Sequence, residues 1–83
     1  MNTIDLAIYI SKKILDGDFQ TLKILSYIKI NFNVSDYDMR SPLHVAGDQD
    51  DKDIFEFLIK CGADKDSKDR NGNVPELNSE RDF

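Results

Sequence analysis

Several things that would point to chemistry or to a membrane are scarce in this sequence. It has one cysteine, Cys61. A lone thiol cannot staple the fold and fits a reducing compartment. It has one histidine, His44, so neither a His-based ligand set nor a Cys–His pair with a second histidine in reserve is on offer. No apolar run approaches the ~20 residues that a membrane helix needs. The short apolar patch Leu6–Ile10 follows Asp5 rather than a basic region and precedes Lys12 and Lys13, which is not the layout of a secretory signal. Basic charge is not in excess: the net charge is −5, whereas a nucleic-acid binder presents a basic face to the phosphates. Glycine-rich phosphate loops and paired-carboxylate or Ser/His/Asp frames are missing as well. The expectation is a cytoplasmic protein, with the nucleus as the alternative, that has no cofactor and no catalytic or metal residues.

What is present suits one small folded domain. The chain has 83 residues, of which 40% are hydrophobic and 33% charged. That balance is typical of a folded soluble chain, and the length allows a single domain of modest core and marginal stability. The charge is uneven. Residues 1–35 carry four Lys and three Asp, while residues 36–83 carry seven Lys or Arg and thirteen Asp or Glu. Such asymmetry favours a partner with a basic surface, although acidic side chains commonly do no more than solvate a face.

The pattern that organises the chain is a repeat. Asp69-Arg-Asn-Gly-Asn-Val-Pro75 answers Asp36-Tyr-Asp-Met-Arg-Ser-Pro42, a period of 33 residues. Periods of that length mark stacked supersecondary units. In the first unit, Ile4, Ala7, Ile10 and Ile14 recur at helical spacing, with Thr3 as the expected N-cap. Gly17 stops this helix and Asp18 caps the next, over 19–28, with Leu22, Leu25 and Ile28 on one face. Residues 29–35 alternate apolar and polar side chains and read as a short extended segment. Residues 36–40 have turn chemistry. Ser41-Pro42 then opens a helix, because proline at the first helical position sacrifices an N–H that has no partner anyway. That helix ends near Gly47-Asp48. Asp51 or Asp53 opens another, carrying Ile54, Phe55, Phe57, Leu58 and Ile59 and stopping at Gly62. Val74-Pro75 begins a third unit, which lacks a helical stripe over 78–82.

These residues resemble the ankyrin repeat. Asp36, Ser41, Pro42, Leu43, His44, Ala46, Ile54, Leu58, Gly62, Ala63 and Asp64 match its pattern, with Ser for Thr, and Asp69, Gly72 and Pro75 match it again. The resemblance implies an all-α fold: a short solenoid of antiparallel helix pairs joined by hairpin-like loops. It divides the single domain 1–83 into a degenerate N-terminal repeat over 4–35, a full repeat over 36–68 and a truncated third over 69–83. Three departures stand out. Met39 replaces the turn glycine, Gly47 sits where the second Ala usually is, and Asp50 takes the inter-helix glycine position.

Conspicuous residues have plain readings beside this frame. In the ankyrin pattern, the histidine at position 44 holds the turn and links neighbouring elements. Cys61 is expected to be a partly buried small hydrophobe. The acids of 48–53 resemble a calcium loop, but Asp53 and Ile59 fall where an EF-hand needs Gly and Glu. A loop begun at Asp64 would put Lys68 on a ligand position. Phe32, Phe55 and Phe57 read as packing residues rather than a stacking platform.

The family likeness implies a non-catalytic module that binds a protein partner through hairpin tips and first helices, with no nucleic acid and no membrane. Carried onto this sequence, the contact positions are Tyr37, Asp38, Arg40, Asp48, Gln49, Lys68, Arg70, Asn71 and Asn73. Tyr37 and Arg40 lead, since Tyr and Arg dominate binding energy most often. Tyr37→Ala with Arg40→Ala is expected to abolish partner capture and to leave the helical circular dichroism intact. The alternative is an appendage of a larger enzyme such as a glutaminase or asparaginase. Beyond Leu58 and Ile59 no third helix pair follows, so self-association through that C-terminal face is expected unless the tail folds over it.

Overall fold

A computed structural model describes residues 2–80. Among these residues four α-helices form: α1 (Thr3–Leu15), α2 (Phe19–Tyr27), α3 (Pro42–Asp48) and α4 (Lys52–Lys60), followed by a 3-10 turn at Asn78–Glu80. Among the described residues there is no strand, and the all-α repeat architecture stands. Helix α1 packs on α2, α3 on α4, and α1 on α3. Residues 81–83 of the third unit lie outside the described residues.

Each helix starts on a side-chain cap that satisfies an orphan amide of the first turn. Asn2 accepts from the Asp5 N–H at 2.7 Å, Asp18 from Thr21 at 3.1 Å, and Asp51 from Ile54 at 3.1 Å. The cap of α1 is thus Asn2 and not Thr3, which is already helical. Ser41 caps α3, with Pro42 at its first position.

All four helices end in the same way. The chain turns left-handed at Gly17, Lys29, Asp50 and Gly62, with φ of 68°, 59°, 55° and 96°. In each case two closing bonds reach back, such as Ile30 N–H to Leu25 O at 3.1 Å and Ala63 N–H to Leu58 O at 3.0 Å. These are Schellman closures, which satisfy late helical carbonyls. Lys29 is therefore the glycine substitute that ends α2. Residues 29–35 are not an extended segment but a pair of turns that carry Phe32 and Val34 inward.

The core joins both repeats. Ala7, Ile10 and Ile14 of α1 meet Leu22 and Leu25 of α2, Leu43 and Ala46 of α3, and Ile54 and Leu58 of α4, all buried. Burying one such Leu or Ile contributes roughly 1.5–3 kcal/mol. Phe19 meets Phe57 edge to face at 5.0 Å, tying α2 to α4. Ile28 does not join Leu22 and Leu25: it is the C-cap of α2 and 64% exposed. Cys61 is partly buried against the core, and that burial pushes its thiol pKa up.

Candidate functional site

The two hairpin tips are built alike, because each begins with an aspartate whose carboxylate folds the chain around itself. Asp36 Oδ1 accepts the N–H groups of Asp38 at 2.9 Å and Arg40 at 3.0 Å. Asp69 Oδ1 accepts those of Asn71 and Asn73, both at 2.9 Å. The backbone closes each loop, Asp36 N–H to Arg40 O and Asp69 N–H to Asn73 O, both at 3.0 Å. Position four of each loop needs positive φ, supplied by Met39 at 61° and Gly72 at 82°.

The hairpins are then fastened side by side. The Arg70 N–H donates to the Asp38 carbonyl at 2.9 Å, and the Arg70 guanidinium donates to the Tyr37 carbonyl. Arg40 reaches across with Nη1 3.2 Å from Asp69 Oδ2, while its Nη2 pairs with Asp48. The Asp69 side chain is only 3% exposed. Its carboxyl is held below the ordinary range chiefly by the Asn73 N–H, aided by Asn71, His44 and Arg40 against an opposing burial effect.

His44 is a further joint. The Ser41 N–H donates to Nδ1 at 3.1 Å, so the ring proton belongs on Nε2, which lies 2.8 Å from the Asn73 carbonyl. One side chain therefore closes the α3 cap and holds the next hairpin. Its counterpart in the first unit by the 33-residue register is Ser11. Ser11 Oγ is, among the described residues, a buried side-chain oxygen with no hydrogen-bond partner. By that register a serine without a partner stands where the second unit has the His44 joint.

Of the candidate contact residues, the fold brings Tyr37, Asp38, Arg70, Asn71 and Asn73 together on the fastened tips. Tyr37 is 71% exposed, and the Asp38 and Arg70 side chains are 74% and 67% exposed. Lys68 is exposed just before the second tip. Asp48 is drawn toward the tips by Arg40, whereas Gln49 caps α3 at its far end. Arg40 differs from the rest. It is held between two carboxylates with its side chain 28% exposed, so replacing it touches the fold as well as any contact. A groove of about 310 Å³ runs beside these groups, lined by Arg40, His44, Asp48, Asn73, Val74 and Glu76.

Three of the four acids of 48–53 have structural tasks: Asp48 pairs with Arg40, Asp50 accepts from Ser79, and Asp51 caps α4. Among the described residues no group of three or more His, Cys, Asp or Glu side chains converges as a metal site. Sequence reasoning missed one surface feature. Ile24, Tyr27 and Ile28 are 59%, 83% and 64% exposed on α2. The signal was present as a second apolar stripe, Ile24 and Ile28 four residues apart, on a helix already committed to burying Leu22 and Leu25.

Comparison with known proteins agrees with this architecture. A family model described as "Ankyrin repeat" matches residues 38–70. The chain is 37% identical over 67 residues to potassium channel KOR2 of Oryza sativa subsp. japonica, covering 81% of this chain and 9% of the channel. It is 41% identical over 67 residues to potassium channel GORK of Arabidopsis thaliana, covering 81% and 8%. It is 37% identical over 60 residues to the mitochondrial liver isoform of glutaminase from Rattus norvegicus, covering 71% and 10%. The chain thus spans no more than about a tenth of the length of these relatives.

Proposed function

We propose that this chain, which matches the ankyrin repeat over residues 38–70, is a non-catalytic module that captures a protein partner on its two fastened hairpin tips. The observation that carries this reading is the Arg70 link to Tyr37 and Asp38. It turns two loops into one preorganised ledge, and ordering a binding surface in advance lowers the entropic cost of capture. Tyr37 is the anchor residue: a large ring on a rigid backbone, mostly in solvent, of the type that dominates interface energetics. Asp38, Asp48, Lys68, Asn71 and Asn73 form the polar surround. The acidic balance of residues 36–83 selects a partner with a basic surface.

The test replaces only exposed side chains. Tyr37→Ala with Asn71→Ala is expected to reduce affinity for a captured partner by at least about tenfold, with the thermal melt unchanged. Unchanged affinity would sink the proposal. The second reading, an appendage that assembles or regulates a larger enzyme, draws on the glutaminase relative. Comparable similarity to two potassium channels deprives that reading of any preference for one enzyme class.

A further inference from the structure

The last described segment, 73–80, lies across α3. The Asn73 carbonyl accepts from His44 at 2.8 Å, Pro75 and Leu77 are buried, and the Ser79 N–H donates to Asp50 Oδ1 at 3.0 Å. The Ser79 N–H also holds the Asp50 carboxyl below its ordinary pKa. Between these anchors the Glu76 backbone comes directly against Gly47. A Cβ at position 47 would overlap the Glu76 carbonyl oxygen and stand 2.9 Å from its carbon and 3.3 Å from its nitrogen. Gly47 has ordinary helical φ, so conformational freedom is not what it supplies. Alanine is the better helix former. The glycine is explained by what lies against it.

By the 33-residue register, residues 73–80 correspond to 40–47, which enter and form most of α3. Here the only helical structure is the three-residue turn at Asn78–Glu80. We infer that residues 73–80 are a closing strap that occupies the place of a third repeat's first helix, and that Gly47 is the residue that makes its seat. The strap covers α3 on the side of His44 and Gly47. It also holds the second hairpin, because Asn73 is both the last residue of that hairpin and the first of the strap.

The experiment uses the full chain and a glutamate-specific endopeptidase. Glu76 and Glu80 lie in the strap, and Glu56 lies in α4 as an internal reference. Gly47→Ala and Leu77→Ala should each speed cleavage after Glu76 by about tenfold or more, with Glu56 unaffected, since local opening sets the rate. Unchanged cleavage after Glu76 in Gly47→Ala, or equal acceleration at Glu56, would overturn the inference. Should Gly47→Ala fail to fold, hydrogen exchange at the Ser79 amide decides. Protection in the unaltered chain that is lost in Leu77→Ala supports the strap, and an unprotected Ser79 amide overturns it.

Discussion

Arg40 Nη1 lies 3.2 Å from Asp69 Oδ2, across 29 residues of sequence and between the two hairpin tips. The pair is lopsided: the carboxylate is nearly out of solvent and the guanidinium is not. Arg40 is thus a brace that sets the spacing of the tips. Its contribution to binding cannot be separated from that brace by a single substitution.

Arg40→Ala is therefore expected to destabilise the chain. A charge-assisted hydrogen bond contributes about 1.5–3 kcal/mol, and the partial exposure of Arg40 places the loss toward the low end. Tyr37→Ala should change stability by no more than about 0.5 kcal/mol. Urea denaturation of the two variants side by side checks this. Equal stabilities would mean that Arg40 does not brace the tips.

Acid should loosen the same region. Asp69, Asp18 and Asp50 all have pKa values below the ordinary 3.8, through the Asn73 N–H, the Thr21 hydroxyl and the Ser79 N–H respectively. The unfolded chain therefore takes up protons first as pH falls. Stability from these groups is complete above the unfolded value and is lost progressively as pH drops through it toward the lower folded values. The urea midpoint should fall between about pH 5 and pH 3, with a shallower slope in Asp69→Asn. A slope identical in that variant would exclude Asp69 from the effect.

Among the described residues three non-glycine positions hold left-handed backbone, and two of them have nothing to show for it. Lys29 and Met39 sit at φ 59° and 61° with exposed side chains, a conformation that costs an L-residue roughly 1–2 kcal/mol. Lys29→Gly and Met39→Gly should each raise the melting temperature by a few degrees, as about 1 kcal/mol shifts a domain of this size by ~4–8 °C. Asp50→Gly should gain less, since it gives up the bond to Ser79. If all three gained equally, the strap bond would be energetically silent.

These examples also show why some of the fold was legible in the sequence and some was not. Ser41-Pro42 announces a helix start through chemistry that only a helix start rewards and acts as expected, and of the two acids offered for the next start, Asp51 and Asp53, Asp51 is the cap. Asn2 and Thr3 are both competent caps, so residue type alone could not choose between them. Helix α2 carries apolar residues at 22, 24, 25 and 28, too many for one face, and only packing decides which stripe is buried. The left-handed turn at Lys29 has no marker in its residue type; its place is visible only by register with Gly62. At the tips, the loops were legible from Asp36 and Asp69. The fastening of one loop to the other by Arg70 was not, because it depends on the distance between units. Beyond Pro75 the strap no longer follows the period, and Gly47 has meaning only against the Glu76 carbonyl that packs on it.

His44 allows its two jobs to be separated by near-isosteres. Asparagine offers an acceptor near the position of Nδ1 but is too short to reach the Asn73 carbonyl. Glutamine reaches toward the position of Nε2 and loses the geometry at Ser41. His44→Asn should keep the Ser41 amide protected from exchange and free the 69–73 hairpin. His44→Gln should do the reverse. Each variant forfeits one buried hydrogen bond, and the orphaned partner should bring the loss to about 1–3 kcal/mol. If tip rigidity governs capture, partner affinity should fall in His44→Asn and hold in His44→Gln at matched stability. Equal affinity in the two would mean that the hairpins need not be held together to bind, and the ledge formed by Tyr37 and Arg70 would then be incidental to recognition.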